Sequence, residues 1–256
     1  MRIGITERGD AGLDFSWKEK LYMVDGAVLI TKNMNDRFIE NVCYAHKKGY
    51  KLIVHCTCTG LGDTEFEANV PDYETQLTQL RKLIDSGFPK SHCVLRIDPI
   101  IPLKHCLKGV EKVIERAYSL NLLPEMRVRI SVLDKYRHVK ERMKKIMHQT
   151  VYSKNRFYAS DEMFANVAKT LIRYTDLIDL TYECCAEPAL TEQYPYAFKA
   201  VGCISKKDLD LLRILYETAG MNPQNRSGCL CLDCKTELLT NRCRCPHQCI
   251  YCYWKD

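Results

Sequence analysis

The sequence predicts an α/β fold: an incomplete, TIM-like (βα)6 barrel followed by a cysteine-rich C-terminal metal-binding segment. Three observations lead there. Short β-branched runs alternate with stretches whose apolar residues recur at helical spacing, the pattern of βαβ units with parallel strands. Six such units are legible, fewer than the eight of a full barrel. After Pro223 the composition turns cysteine-rich and loses periodic apolar residues. Residues 1–222 are therefore expected to form the partial barrel, and residues 223–256 a metal-organised segment continuous with it.

The elements follow in order. Residues 2–6 read as the first strand, ending in the polar turn Glu7-Arg8-Gly9-Asp10. Residues 27–31 are the second, and Phe38, Ile39, Val42 and Cys43 give the helix after it an apolar face. Residues 52–57 are the third, followed by the glycine-rich Gly60-Leu61-Gly62-Asp63 and a helix over 73–84 striped by Leu77, Leu80 and Ile84. Residues 93–97 are the fourth, ended by Asp98-Pro99, and Val110, Val113, Ile114 and Ala117 stripe the next helix. Residues 127–132 are the fifth and lead into a basic helical stretch. Residues 161–174 are helical with Asp161 as N-cap, 177–182 are the sixth strand, and 208–218 are a last helix closed near Gly220.

At 256 residues the chain suits one domain with a full core. No run of about 18 apolar residues appears, so no membrane span is expected. The first residues, Met-Arg-Ile-Gly-Ile-Thr-Glu-Arg, lack the apolar stretch of a signal peptide. Fifteen cysteines, seven of them after residue 228, then point to metal in a reducing cytoplasm rather than to a secreted disulfide scaffold. The net charge of +6 suits a polyanionic partner or a solvated basic surface.

The most specific signal is Cys245-x3-Cys249-x2-Cys252, with the aromatic Tyr251 before the last cysteine. Three thiolates at that spacing can hold three corners of a cubane iron–sulfur cluster, which leaves one iron open, or else belong to a zinc knuckle. A structural zinc site wants four protein ligands, usually in paired C-x2-C sets.

The triplet resembles the signature of the radical S-adenosylmethionine (SAM) enzymes. The resemblance implies a [4Fe-4S] cluster whose open iron is chelated by SAM, and whose reduced form cleaves SAM to a 5′-deoxyadenosyl radical. Across nearly the whole chain further pieces are similar to an uncharacterised group of radical-SAM-like proteins, a domain of unknown function with the motif at the C-terminus. These pieces are Thr31-Lys32-Asn33, Thr59-Gly60-Leu61-Gly62, Arg96-Ile97-Asp98-Pro99-Ile100, Asp134-Lys135-Tyr136-Arg137, Cys185-Ala186-Glu187, Gly202-Cys203-Ile204 and Gly228-Cys229-Leu230-Cys231. That group implies a circularly permuted barrel of radical SAM type, with the last motif feeding toward the first strand. Arg8-Gly9-Asp10 departs from its pattern, where two arginines and a threonine are expected before the aspartate, and Cys234 and Cys243 are additions. Cys-Ile-Tyr-Cys-Tyr is also locally similar to the cluster loop of the spore photoproduct lyases, which act on DNA.

Polar residues at the C-terminal ends of parallel strands are the candidate site. Thr6, Glu7, Lys32, Asn33, His55, Thr57, Arg96, Asp98, Ser131, Asp134 and Glu183 stand there. Arg96 and Asp98 share a strand face; they either meet a SAM carboxylate and a hydroxyl, or pair with each other. Lys32 and Asn33 either hold SAM and substrate or cap the next helix. Glu7-Arg8 is the nearest substitute for the glycine-glycine-glutamate motif that many radical SAM enzymes direct at the SAM amino group. Arg96, Asp98, Lys32 and Glu7 are the catalytic candidates, and Asn33, Thr57, Tyr251 and Ser131 the cofactor-binding ones. Cys185, Cys203, Cys229 and Cys231 can ligate a second metal centre, another four-iron cluster or a structural zinc, or else remain buried thiols or form a disulfide.

Lys135, Arg137, His138, Lys140, Arg142, Lys144 and Lys145 either follow a phosphate backbone or form a solvated face. Tyr152, Phe157 and Tyr158 either stack bases or pack under a loop. The expected partners are SAM, a substrate that is a nucleotide or nucleic acid ahead of a peptide or small metabolite, and an electron donor such as flavodoxin or ferredoxin. The alternative is a zinc-stabilised nucleic-acid-binding module without catalysis.

Overall fold

Alternating strand and helix patterns leave the strands to pair side by side in parallel, because each helix carries the chain back to start the next strand. The computed structural model describes residues 1–146, 159–216, 230–240 and 245–253. Among these, eight strands form one parallel sheet in the order β7-β6-β5-β4-β3-β2-β1-β8. They are β1 Ile3–Ile5, β2 Gly26–Thr31, β3 Leu52–Thr57, β4 Cys93–Ile100, β5 Arg127–Val132, β6 Tyr182–Cys184, β7 Phe198–Ala200 and β8 Lys235–Glu237. The helices are α1 Asp36–Lys47, α2 Tyr73–Asp85, α3 Lys104–Ser119, α4 Arg137–Ile146, α5 Asp161–Ile178, α6 Pro188–Gln193 and α7 Lys206–Leu211, with 3-10 helices at Phe15–Met23 and Lys90–His92.

The sheet therefore holds two strands more than the six the sequence predicts. Both additions, β7 and β8, are short edge strands. Toward the rear of these edges, Leu232 N donates to Ile204 O at 3.3 Å, so the segments after β7 and before β8 meet. The last strand also lies beside the first, with Ile3 opposite Lys235 and Ile5 opposite Glu237.

Other boundaries differ from expectation for local reasons. The sixth strand is Tyr182–Cys184, not 177–182. Helix α5 continues to Ile178 and ends where Asp179 takes a left-handed conformation (φ 54°). Ser160, not Asp161, caps α5 by accepting from Met163 N. Strand β4 runs past Asp98-Pro99 to Ile100 through a register shift against β5. Asn35 rather than Asn33 caps α1, accepting from Phe38 N at 2.9 Å. The helix expected over 208–218 is α7, and residues from 217 onward lie outside the described ones.

Successive strand side chains point to opposite faces, and each face has its own core. Leu52, Val54 and Cys56 of β3 join Phe38, Val42, Leu77 and Leu80 of α1 and α2 on the outer side. Ile53 of β3 joins Ile3, Ile5, Val28, Ile30 and Val94 on the inner side, where Leu209, Leu212 and Ile214 pack onto them. The inner face also carries charge. Arg129 reaches Glu183 Oε2 at 2.5 Å, and Arg127 reaches Asp208 Oδ1 at 2.7 Å. His55 interacts with Arg96, Arg127 and Arg129; burial first, then these cations, hold its imidazole well below its usual value and so neutral.

Candidate functional site

Polar residues at the C-terminal ends of the strands border a cavity of about 810 Å³. That is within the range of small-molecule sites, about 300–1,000 Å³. Glu7 follows β1, Lys32 follows β2, Thr57 closes β3, Arg96 and Asp98 stand on β4 and Ser131 on β5; all six line the cavity. Arg96 and Asp98 form an ion pair, and Ser131 Oγ donates to Asp98 Oδ1 at 2.7 Å. Burial lowers the Arg96 guanidinium, but Asp98 outweighs that and keeps it raised and charged. Lys235 Nζ lies 3.3 Å from Glu7 Oε2.

Cys245, Cys249 and Cys252 line the same cavity. Burial pushes the Cys249 thiol up to about 12 and the Cys245 thiol up to about 11. Burial thus disfavours the thiolate at both positions, and a metal ligated there would have to displace the proton.

Two polar networks seat the loop that carries them. His247 Nε2 faces Asp10 Oδ2 at 2.9 Å, and Nδ1 faces Asn69 O at 2.7 Å. Both neighbours accept, so both ring nitrogens donate and the ring is an imidazolium. Burial lowers it, but the hydrogen bond and charge of Asp10 outweigh that and raise it. Asp10 also accepts from Gly12 N, Thr31 Oγ1 and Lys32 N at 2.6 to 2.7 Å. In the second network Tyr251 donates to Glu67, and Lys32 Nζ lies 2.7 Å from Glu67 Oε1 and 2.9 Å from the Tyr251 hydroxyl. Burial would lower the Lys32 ammonium; Glu67 and then Cys249 outweigh it and hold it raised.

Backbone contacts complete the seat. Ile250 N donates to Phe66 O at 3.1 Å, and Asn69 Nδ2 donates to Pro246 O at 3.1 Å. From α4, Arg142 Nε donates to Ile250 O at 2.9 Å, and a second nitrogen donates to Cys252 O. His138 Nε2 lies 2.9 Å from Tyr253 O, and Tyr136 stacks on Tyr253 with ring centroids 5.6 Å apart. Arg142 and His138 of the basic stretch are thus engaged within the molecule, and so is Lys144, which pairs with Glu141 at 3.0 Å.

A second group of thiols stands on the same cavity. Cys185 follows β6, Cys203 follows β7 and Cys231 precedes β8. Their sulfurs all lie within 4.8 Å of one another, so these residues can bind a metal. Cys203 and Cys185 sulfurs are 3.4 Å apart, and Cys203 N donates to Cys231 Sγ at 3.1 Å. Among the described residues no other three His, Cys, Asp or Glu side chains gather so tightly.

Of the predicted site residues that are described, Thr6, His55 and Glu183 are off the cavity wall, and so is Asn33. It braces the turn instead, its Oδ1 accepting from Asn35 Nδ2 at 3.1 Å. Cys229 lies outside the described residues, as do Cys243, Tyr152, Phe157 and Tyr158. Sequence reasoning passed over Glu67, His247 and Lys235. Only His247 carried a signal, its place between two motif cysteines; the others sit in stretches without periodicity.

Residues 16–254 match the family described as Domain of unknown function (DUF1848). No curated protein matches the chain. Among solved structures, a class V chitinase from Pseudomonas fluorescens Pf-5 is similar at 11% identity and a TM-score of 0.32. That likeness covers 73% of this chain and 54% of the chitinase, so the chain spans about half the length of that protein, and it carries no argument. With all but its first fifteen and last two residues inside the match, the chain belongs to the DUF1848 family.

Proposed function

We propose that the protein is a radical SAM enzyme built on a partial parallel barrel, with its cluster at Cys245, Cys249 and Cys252. The observation that carries this reading is that three cysteines of one loop share a cavity with the polar ends of five strands. Three ligands suit a cubane that keeps one iron for a small chelating ligand. When bound, a reduced [4Fe-4S] cluster with SAM supplies a carbon radical that takes hydrogen from substrate.

The chain's own residues place and shield that chemistry. Asp10 with His247, and Glu67 with Lys32 and Tyr251, hold the cysteine loop against the strand ends. Lys32, beside Cys249, offsets the negative charge that thiolates bring. Arg96 offers a half-buried cation for a carboxylate, and Ser131 and Asp98 offer a hydroxyl and an acceptor for a sugar or substrate. The basic surface keeps a nucleotide or nucleic acid as the leading substrate class, although Arg142 and His138 already serve the loop. A flavodoxin or ferredoxin is the electron donor in this reading.

The test is anaerobic reconstitution of the full chain with iron and sulfide, then addition of SAM and dithionite. A brown protein that releases 5′-deoxyadenosine, lost in Cys249→Ser, is the expected outcome. A colourless protein with zinc at the terminal triplet, and no cleavage, supports the zinc-stabilised binding module and overturns the enzyme.

A further inference from the structure

We propose that Cys185, Cys203 and Cys231 form a second metal centre, holding a single thiophilic cation such as zinc or iron(II) with one coordination position turned to the cavity. This does not rest on the radical SAM reading, since none of the three belongs to the terminal triplet.

Spacing is the first argument. A tetrahedral zinc with Zn–S bonds near 2.3 Å separates its thiolates by roughly 3.8 Å. Cys185 and Cys203 sulfurs are 3.4 Å apart, and the whole trio lies within 4.8 Å. A cubane, with an iron under each thiolate, spreads its sulfurs wider than one shared ion does. The trio therefore has the grip of a single ion.

Placement is the second argument. The three cysteines come from three separate junctions, after β6, after β7 and before β8, at the two edges of the sheet. An ion there bridges edges that strand pairing leaves apart, in line with the Leu232–Ile204 hydrogen bond. The Cys203 N–H aimed at Cys231 Sγ is the kind of donor that steadies a metal-bound thiolate.

Charge is the third. Arg96 and Lys235 both interact electrostatically with Cys203, and both line the cavity with the three sulfurs. Three thiolates on a divalent ion leave a net negative centre, which these cations offset. Among the described residues the trio offers three ligands, one fewer than a tetrahedral ion takes, and the sulfurs line the cavity. A small anionic or sulfur-bearing group of a ligand can take that position, with Arg96 and Lys235 beside it.

The test uses the full chain carrying Cys245→Ser, Cys249→Ser and Cys252→Ser, so that the terminal triplet cannot bind. Cobalt(II) is the probe. The expected result is one ion per chain with thiolate-to-cobalt charge-transfer bands, abolished by adding Cys203→Ser, and visible bands that shift when azide is added. Bands that survive Cys203→Ser, or no thiolate-bound cobalt at all, overturn the centre. Bands that do not shift with azide overturn the open position. A second measurement needs no variant: in the native chain, zinc should slow alkylation of Cys185, Cys203 and Cys231, mapped by mass spectrometry, and leave Cys43 unchanged. Equal alkylation with and without zinc, or a Cys185–Cys203 disulfide in place of metal, also overturns the proposal.

Discussion

Asp208 shows how single charges shape the inner face. It is buried, paired with Arg127 and near Arg129, and it accepts from Ser205 in a capping box that starts α7. Burial raises its carboxyl, but Arg129 and then Arg127 outweigh that and hold it below the usual carboxylate range. A depressed folded value means the stabilisation is complete above the unfolded value, about 3.9, and fades as pH falls through the folded one. Asp208→Asn leaves two buried guanidiniums short of a partner. It should cost about 3–5 kcal/mol in denaturant unfolding at neutral pH, with the difference from the parent shrinking as the medium is acidified below pH ~4.

At the scale of elements, α4 acts as a clasp on the terminal loop. Arg142 holds the carbonyls of Ile250 and Cys252, and His138 faces that of Tyr253. Hydrogen bonds from a charged donor contribute about 1.5–3 kcal/mol. Arg142→Ala should therefore loosen the loop locally, with alkylation of Cys252 in the metal-free protein rising about tenfold or more while the global unfolding midpoint barely moves. An equal rise at Cys56, buried in the outer core, would mean general unfolding instead.

The elements also show what a sequence displays. Buried strands such as Leu52–Thr57 and Arg127–Val132 and striped helices such as α2 and α3 are legible, because burial on both faces selects their residues. Strands β7 and β8 are not. At three residues each, and with Lys199, Ala200 and all of β8 reaching solvent to some degree, they are defined by a neighbour rather than by their own pattern. Leu177 and Ile178 mimic the start of a strand because apolar helix ends and apolar strands look alike over a few residues. The cysteine motif stands out by spacing alone, and its three residues line the cavity. Glu67 and Asp10 do not, since their role is to meet partners far away in the chain, Tyr251 and His247.

For the whole molecule, β8 and the loop after it tie the two ends of the chain together. Ile3 N donates to Cys234 O at 2.9 Å, Leu238 N to Ile5 O at 2.8 Å, and Glu237 Oε2 accepts from Glu7 N and Arg8 N. Leu232 and Leu238 also enter the inner and outer cores. Deleting residues 230–256 bares the edge of β1, and unpaired edges template aggregation. The truncated chain should lose its cooperative thermal transition by circular dichroism and elute as aggregate in size exclusion; a monomer that melts like the parent would show that β1 needs no neighbour there.

The pairing of β8 with β1 also sets an order of events on the ribosome. Synthesis runs at about 5–20 residues per second and domains begin folding from the N-terminus. The thiols of Cys245, Cys249 and Cys252 therefore emerge only after every wall they complete has been translated. If these thiols take up metal as proposed, loading follows translation of the whole sheet, whose first strand has waited for β8 with one side bare.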